Sequence, residues 1–260
     1  MTPQRRLDRS AYELELDDDF DGPELDRTRW LPAYLPHWST RERAAARYRL
    51  ADGHLVLAIE EDQEPWSPEH DGLLRVSNLQ TGAFSGPVGS TIGQHHFAPG
   101  LRVMQAQPVE RLYTPHRGVV EVRLAAIDDP RSMVALWMIG FEDAPERSAE
   151  ICVVEIFGTD VHDDHVIVGM GVHPFGDPTI RDELLKVRVD IDAREMHTYA
   201  AEWTEEAVHF YVDDDHVATV DQSPDYPMQL MLDIYELDGP PSGTYPKELH
   251  VDHVRGHRPR

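Results

Sequence analysis

The sequence lacks the residues on which several classes of protein depend. It has one cysteine among 260 residues, which excludes an internal disulfide framework and any cysteine-based zinc site. It has 24 lysine and arginine residues against 48 aspartate and glutamate residues, and its formal net charge is -24. Proteins that bind nucleic acid or anionic membranes rely on Lys and Arg, so we expect neither partner. A neutral glycan is compatible with this charge.

Long apolar runs are missing as well. No stretch approaches the length of a membrane-spanning helix. Arg5 and Arg6 near the start are not followed by the apolar core of a signal peptide, so we expect a cytoplasmic protein or one secreted by another route. There is no internal repeat and no linker-like segment, and nothing in the sequence predicts a protein partner. A single domain over residues 1–260 is the simplest prediction.

The chain consists instead of many short apolar segments separated by Gly, Pro and Asp turns. Residues 119–124 alternate between apolar and charged side chains, and residues 133–139 are almost continuously apolar, as in a strand buried on both faces. Residues 213–215 predict a hairpin turn, and only residues 41–47 have the composition of a short helix. The pattern predicts an all-β fold, a sandwich or barrel of antiparallel strands.

One predicted strand carries two carboxylates. Residues 150–158 read Glu-Ile-Cys-Val-Val-Glu-Ile-Phe-Gly. In a regular strand, residues five apart point to opposite faces, but one extra residue after Cys152, a β-bulge, would put Glu150, Cys152 and Glu155 on one face. Two carboxylates on one face is the arrangement that retaining glycoside hydrolysis needs. The alternative is a buried strand whose glutamates mark its solvated ends.

The ordered set of segments resembles glycoside hydrolase family 16, in particular its laminarinase-like branch. In that branch the catalytic strand reads Glu-Ile-Asp-Ile-Met-Glu-Tyr-Val-Gly, which is similar to residues 150–158. The resemblance implies a concanavalin A-like jelly roll, in which two packed antiparallel sheets enclose a concave cleft, and an endo-acting glycosidase. The other matching segments are residues 20–26, 52–57, 117–123, 135–138, 197–204, 208–213 and 251–255.

The resemblance also implies roles for the residues of the strand. Glu150 falls on the nucleophile and Glu155 on the general acid/base. Cys152 stands where the family has an Asp that shares a proton with the pair. A thiol beside two carboxylates should have a raised pKa and stay neutral, so we expect slower turnover or a different pH optimum. The alternatives are that Cys152 only fills a small hole, or that activity is lost.

Four further residues are candidates for contacts with the substrate. By resemblance, Trp137 lines the cleft floor and His173 lies near the acid/base; the alternative for both is a structural role. Trp38 and Trp66 lie in predicted loops, where a flat ring can cover the C–H face of a sugar. Packing of these loops onto the sandwich is the alternative for both tryptophans.

The resemblance implies one metal site, away from the cleft. Asp252 matches a position that binds a structural calcium in many family members, together with backbone oxygens near Gly53. Oxygen ligands suit calcium. No cofactor is expected for catalysis, because the histidines show no zinc-like spacing.

These observations predict a retaining endo-glycoside hydrolase that acts on a polysaccharide or oligosaccharide. The laminarinase-like pattern favours a β-1,3-glucan or a mixed β-1,3/1,4-glucan, and galactans stay open. The second hypothesis is a carbohydrate-binding protein in which the replacement at Cys152 has impaired catalysis.

Overall fold

The computed structural model describes residues 5–260, and within them the backbone is almost entirely extended. Helical structure there is confined to a four-residue α-helix, α1 (Pro68–Asp71), and to 3-10 turns at Arg9–Ala11, Pro36–Trp38 and Gly158–Asp160. The strands are β1 (Tyr12–Asp18), β2 (Arg47–Ala51), β3 (His54–Ile59), β4 (Arg75–Gln80), β5 (Gly82–Ala83), β6 (Glu110–Arg111), β7 (Gly118–Ala125), β8 (Ser132–Gly140), β9 (Glu150–Phe157), β10 (Val166–His173), β11 (Glu183–Val189), β12 (His197–Trp203), β13 (Val208–Val212), β14 (Asp215–Val220), β15 (Met228–Glu236) and β16 (Lys247–Pro259).

The strands form two large sheets and one short ribbon, and every pairing within them is antiparallel. The outer sheet has the order β14-β13-β12-β7-β16-β3-β2, with β1 also paired to β16. The second sheet, which we call the cleft sheet, has the order β11-β10-β9-β8-β15-β4, and β5 pairs with β6. The predicted fold class, a β-sandwich of two packed antiparallel sheets, is confirmed.

The main hydrophobic core lies between the two sheets. In β7, Val120, Val122 and Leu124 point into it, as their alternation predicts. Leu136 of β8 meets them from the cleft sheet, together with Val154 of β9. Complete burial of each such side chain contributes about 1.5–3 kcal/mol, so this layer fixes which face of each strand points inward.

Two local predictions have different outcomes. The hairpin turn between β13 and β14 is confirmed, and Asp213 and Asp214 both have positive φ, 49° and 68°, as a tight two-residue turn requires. The short helix predicted for residues 41–47 is wrong. The segment forms turns and then enters β2, because its backbone bonds to a neighbouring segment: the Tyr34 amide donates to the Ala44 carbonyl at 2.9 Å.

A second apolar cluster covers part of the cleft sheet on the face away from the main core. Loop residues pack there against side chains of β4, β8 and β15, so this part of the cleft face is closed. The loop members of the cluster are Tyr34, Leu35, Trp38, Trp66, Leu101 and Val103.

In the described part of the chain, no helix has the length and apolarity needed to cross a membrane.

Candidate active site

A β-bulge in β9 brings the predicted catalytic residues onto one face. Against β8, Val154 pairs with Leu136 and Cys152 pairs with Trp137, so Val153 is the extra residue. The side chains of Val153 and Val154 are both buried in the main core. The phase of the strand is thereby shifted, and Glu150, Cys152 and Glu155 point together to the cleft face. The bulge after Cys152 that the sequence predicts is confirmed.

These three side chains line one pocket of about 290 Å³ on the open part of the cleft face. Trp137 from β8 and His173 from β10 line it too, so the structure brings five of the predicted site residues together. The remaining lining residues are Tyr34, Leu74, His95, Met133, Ala135, Phe175, Tyr235 and Leu237. The pocket is therefore mainly apolar with a few convergent polar groups, as small-ligand sites usually are.

The two glutamates differ in their surroundings. Burial raises the pKa of Glu150 to about 8, and the neighbouring carboxylates of Glu155, Asp233 and Asp182 add to this effect. Glu155 instead forms an ion pair with Lys186, whose Nζ lies 3.0 Å from its Oε1. The two carboxyls are therefore not equivalent: burial favours the protonated form of Glu150, and the ammonium group of Lys186 lies beside Glu155.

Cys152 lies between the two glutamates, and within residues 5–260 the one polar partner of its thiol is a backbone carbonyl. Its Sγ is 3.7 Å from the Gly169 oxygen, and its side chain is buried. Burial raises the pKa of the thiol well above its usual value, and the two carboxylates raise it further. The thiol is therefore neutral at pH 7 and does not exchange a proton with the glutamates, as the sequence predicts.

The floor of the pocket rests on a buried carboxyl that sequence reasoning did not assign to the site. Trp137 Nε1 donates to Asp233 Oδ2 at 2.8 Å, and the Tyr235 hydroxyl donates to the same oxygen at 3.0 Å. Asp233 is fully buried, and burial raises its pKa to about 8. It therefore holds the Trp137 ring in place.

His173 lies at the end of β10, where it faces Glu150 across the pair β9–β10. Its Nδ1 is 2.6 Å from Asp182 Oδ1, so the carboxylate fixes the orientation of the ring. His95 comes from a loop to the same pocket, packs edge-on against Trp137 with ring centroids 5.0 Å apart, and is buried. Burial lowers the pKa of His95 to about 3, so this ring is neutral.

Trp38 and Trp66 are not stacking platforms, and this part of the prediction is corrected. Both rings are buried, with relative exposures of 0% and 1%. Trp38 Nε1 donates to the Gln94 carbonyl, and Trp66 Nε1 donates to Asp71. The two rings fix the loops that cover the cleft sheet, which is the packing role that the sequence left as the alternative.

The residues at the predicted calcium position do not fit the ion. The carboxylate of Asp252 is bonded to Arg123 at 2.9 Å and lies 3.0 Å from His253 Nδ1. A cation-binding carboxylate needs other oxygen ligands rather than an arginine. Residues 5–260 contain no group of three His, Cys, Asp or Glu side chains placed to hold a metal. Neither Asp252 nor Gly53 is therefore assigned a metal.

The residues that sequence reasoning missed are mostly brought to the pocket by loops and by distant strands. Tyr34, His95 and Phe175 lie in loops, where no periodicity indicates which side chain faces the cleft. Asp233 did carry a signal: it is the only carboxylate within residues 228–235, an otherwise apolar strand. A buried carboxyl needs a hydrogen-bonded or functional reason, so its position marks it as a site residue.

Comparisons with known proteins agree with this geometry. Residues 113–248, more than half of the chain, match the family model described as glycosyl hydrolases family 16. The chain is similar to the GlcNAcα1-4Gal-releasing endo-β-galactosidase from Clostridium perfringens, with 31% identity and a TM-score of 0.85 over 99% of this chain. This chain spans 65% of the length of that chain.

Two glucanase structures share the fold at lower identity. The catalytic domain of an endo-1,3-β-glucanase (laminarinase) from Thermotoga petrophila RKU-1 has 17% identity and a TM-score of 0.65, over 96% of this chain and 98% of that one. SCLam, a non-specific endo-β-1,3(4)-glucanase, has 18% identity and a TM-score of 0.67, over 99% and 95%. A search of curated proteins finds no match to this chain.

Proposed function

The chain belongs to glycosyl hydrolases family 16, and on that premise we propose that it is a retaining endo-glycoside hydrolase with Glu150 as nucleophile and Glu155 as general acid/base. The observation that supports this proposal is the bulge in β9, which turns both carboxyls into one pocket. Retaining hydrolysis needs two carboxyl groups about 5–5.5 Å apart that flank the scissile glycosidic bond.

The reaction proceeds in two displacements. The ionised carboxylate of Glu150 attacks the anomeric carbon, while the protonated carboxyl of Glu155 gives its proton to the leaving glycosidic oxygen. A covalent glycosyl-enzyme forms on Glu150. In the second displacement, Glu155 takes a proton from water, the water attacks the same carbon, and Glu150 is released with net retention of configuration.

The ion pair between Lys186 and Glu155 constrains this assignment. The ammonium group of Lys186 contacts the carboxyl that must carry the proton in the first displacement. Lys186 is 44% exposed and is free to move into solvent. We infer that substrate entering the pocket displaces Lys186 from Glu155, and that the proton then transfers from Glu150 to Glu155. Lys186 therefore acts as a gate on the protonation of the pair.

For the substrate we infer a glycan with a β-galactosidic bond. The similarity to the Clostridium perfringens endo-β-galactosidase supports this, because both its identity and its TM-score exceed those of the glucanases. A β-1,3-glucan or mixed β-1,3/1,4-glucan is the second candidate, which the laminarinase-like pattern of residues 150–158 favours. A protein that binds glycan without cleaving it is the third, favoured by the neutral thiol of Cys152.

A panel of substrates separates these candidates. Reducing ends are measured after incubation with laminarin, lichenan, agarose, carrageenan and a mucin-type glycan. Release of p-nitrophenol is measured with the p-nitrophenyl β-glycosides of galactose and of GlcNAcα1-4Gal. We expect release from the galactosides, none with Glu150→Gln, and unchanged release with Glu146→Gln, a matched change at an exposed glutamate.

The outcomes are distinct. Release from laminarin or lichenan alone would move the substrate to β-glucans. Silence across the panel, with binding of one glycan to the wild-type protein, would establish the binding protein and overturn the hydrolase.

A further inference from the structure

His95 is a polar residue of the catalytic pocket whose hydrogen-bonding capacity the fold leaves unused. Its side chain is 7% exposed, and its Nδ1 is buried without a hydrogen-bond partner among residues 5–260. The ring lines the same cavity as Glu150 and Glu155. A buried polar atom without a partner destabilises the fold, so its presence beside two reacting carboxyls calls for a functional reason.

The neighbours of the His95 ring are aromatic. The ring centroids of Phe175, Trp137 and Phe97 lie 4.6, 5.0 and 6.2 Å from its own. The two phenylalanine rings have no polar atom to offer, and the indole N–H of Trp137 already donates to Asp233. These rings hold the imidazole in place by packing, and its nitrogens can be satisfied only by a molecule that enters the pocket.

The backbone fixes the ring before any ligand binds. His95 has a φ of 54°, a left-handed conformation that is uncommon for residues other than glycine. Its amide donates to the buried carboxyl of Glu142, and its carbonyl accepts from the Phe97 amide at 2.9 Å. Backbone strain that the surroundings maintain is concentrated at functional sites, where it preorganises a side chain. His95 has this preorganisation.

The protonation state of His95 suits a sugar hydroxyl. Because burial lowers the pKa of the ring to about 3, the imidazole is neutral and presents one N–H donor and one acceptor nitrogen. A hydroxyl group can accept from the first or donate to the second. His173, the other histidine of the pocket, differs in having one ring nitrogen bonded to Asp182.

We propose that His95 is a specificity-determining residue, which hydrogen-bonds to one hydroxyl of the sugar that Glu150 attacks. The proposal rests on the proposed function, because that function places this sugar in the catalytic pocket. A sugar that lacks the hydroxyl at this carbon leaves the buried nitrogen unpaired in the complex and is therefore rejected. His95 transfers no proton and takes no part in either displacement.

A double-mutant cycle between the protein and the substrate tests this contact. The substrates are p-nitrophenyl β-galactoside, or the β-glucoside if the wild type cleaves that one, and its deoxy analogues at C2, C3, C4 and C6. His95→Phe keeps an aromatic ring among aromatic neighbours and removes both nitrogens. We expect it to lower kcat/KM roughly 10–100-fold for the parent glycoside and for three analogues, but less than about threefold for the analogue that lacks the contacted hydroxyl.

His95→Asn is the conservative variant, since asparagine tolerates a positive φ and carries an amide near the position of Nδ1. It should recover part of the loss for the parent glycoside. His162→Phe, at an exposed histidine outside the pocket, is the matched control and should leave every kcat/KM value unchanged.

Thermal unfolding gives a second result that needs no substrate. We expect His95→Phe to raise Tm by about 2–4 °C, because it removes a buried polar atom that has no partner. A residue that only supports the fold would lower Tm and kcat/KM together when replaced. A lower Tm in His95→Phe would contradict the premise that the nitrogen is unpaired.

The outcomes separate His95 from the hydrolase. Equal losses in His95→Phe for the parent glycoside and all four analogues, or no loss, would overturn the role of His95 and leave the hydrolase standing. If the wild type cleaves no glycoside, the hydrolase fails, and calorimetric titration of both proteins with the free sugar and its deoxy analogues completes the cycle. A coupling confined to one hydroxyl then supports the contact, and equal affinities or no binding overturn it.

Discussion

Replacement of Asp233 by asparagine is expected to stabilise the protein at neutral pH. Among the residues that the structure describes, none donates a hydrogen bond to the buried Oδ1 of Asp233 or to the buried Oδ1 of Asn78. The register pairs Asp233 with Asn78 as cross-strand neighbours in β15 and β4. Two buried acceptors side by side are unfavourable unless one carries a proton, which a neutral Asp233 supplies. Asparagine at position 233 supplies an N–H donor in the same place, and its side chain stays neutral at every pH.

The magnitude follows from the raised pKa of Asp233. Its ordinary value is 3.8 and its value in the fold is about 8, so the native state binds an extra proton between these two pH values. Stability is therefore full below about pH 4 and falls as the pH rises toward 8. At pH 7, about three units above the ordinary value, the loss is on the order of 4 kcal/mol at 1.36 kcal/mol per unit. The variant avoids this loss.

Thermal unfolding at a series of pH values measures the effect. We expect Asp233→Asn to raise Tm by about 8 °C at pH 7–8, with a difference that vanishes below pH 4. Asp221→Asn, at an exposed aspartate outside the site, is the matched control and should unfold like the wild type. A variant that is less stable than the wild type at pH 8 would refute the reasoning, because it would mean that Asp233 is a stabilising, ionised group.

Two further predictions concern proton exchange at the catalytic pair. Cys152→Asp restores a group that can share a proton with the glutamates, so we expect kcat to rise about tenfold. The matched variant Cys152→Ser cannot share a proton, and its kcat should stay near that of the wild type. Equal rates in all three proteins would show that the thiol does not limit turnover. Lys186→Met removes the cation beside Glu155, so the catalytic pair holds its proton more tightly. The basic limb of the plot of kcat/KM against pH should therefore move to higher pH by about one unit. Lys186→Arg keeps the cation and should keep the wild-type profile. A basic limb that does not move in Lys186→Met would exclude the gating role of Lys186.

The part of the site that could be predicted from the sequence is the part that one strand carries. The spacing of Glu150, Cys152 and Glu155 could be interpreted because side chains in a strand alternate between two faces. Glu155 can share a face with the other two residues only if the strand contains a bulge. The fold class followed for the same reason, since alternation and turn residues are local signals. Strand β11 shows the same alternation, since its apolar residues Leu185, Val187 and Val189 pack against the main core while the residues between them are charged.

Features that depend on how loops pack could not be predicted. Trp38 and Trp66 look alike as loop tryptophans in a sequence, and only the covering of the cleft sheet shows that both rings face inward. Phe175 is the opposite case, an aromatic residue that the fold leaves exposed. For Asp252, no local pattern indicates that Arg123 on the neighbouring strand forms an ion pair with its carboxylate. These contacts join segments far apart in the chain, for which sequence period carries no information.

The identity of the nucleophile is the central claim, and trapping of the glycosyl-enzyme tests it most directly. The protein is incubated with a 2-deoxy-2-fluoro β-galactoside that has an activated leaving group, and its intact mass and proteolytic peptides are measured. A slow second displacement leaves the sugar attached. The account predicts one added fluorosugar, which fragmentation of the labelled peptide places on Glu150 and not on Glu155, and no label in Glu150→Gln. A label on Glu155, the carboxyl that pairs with Lys186, would reverse the two roles and contradict the account.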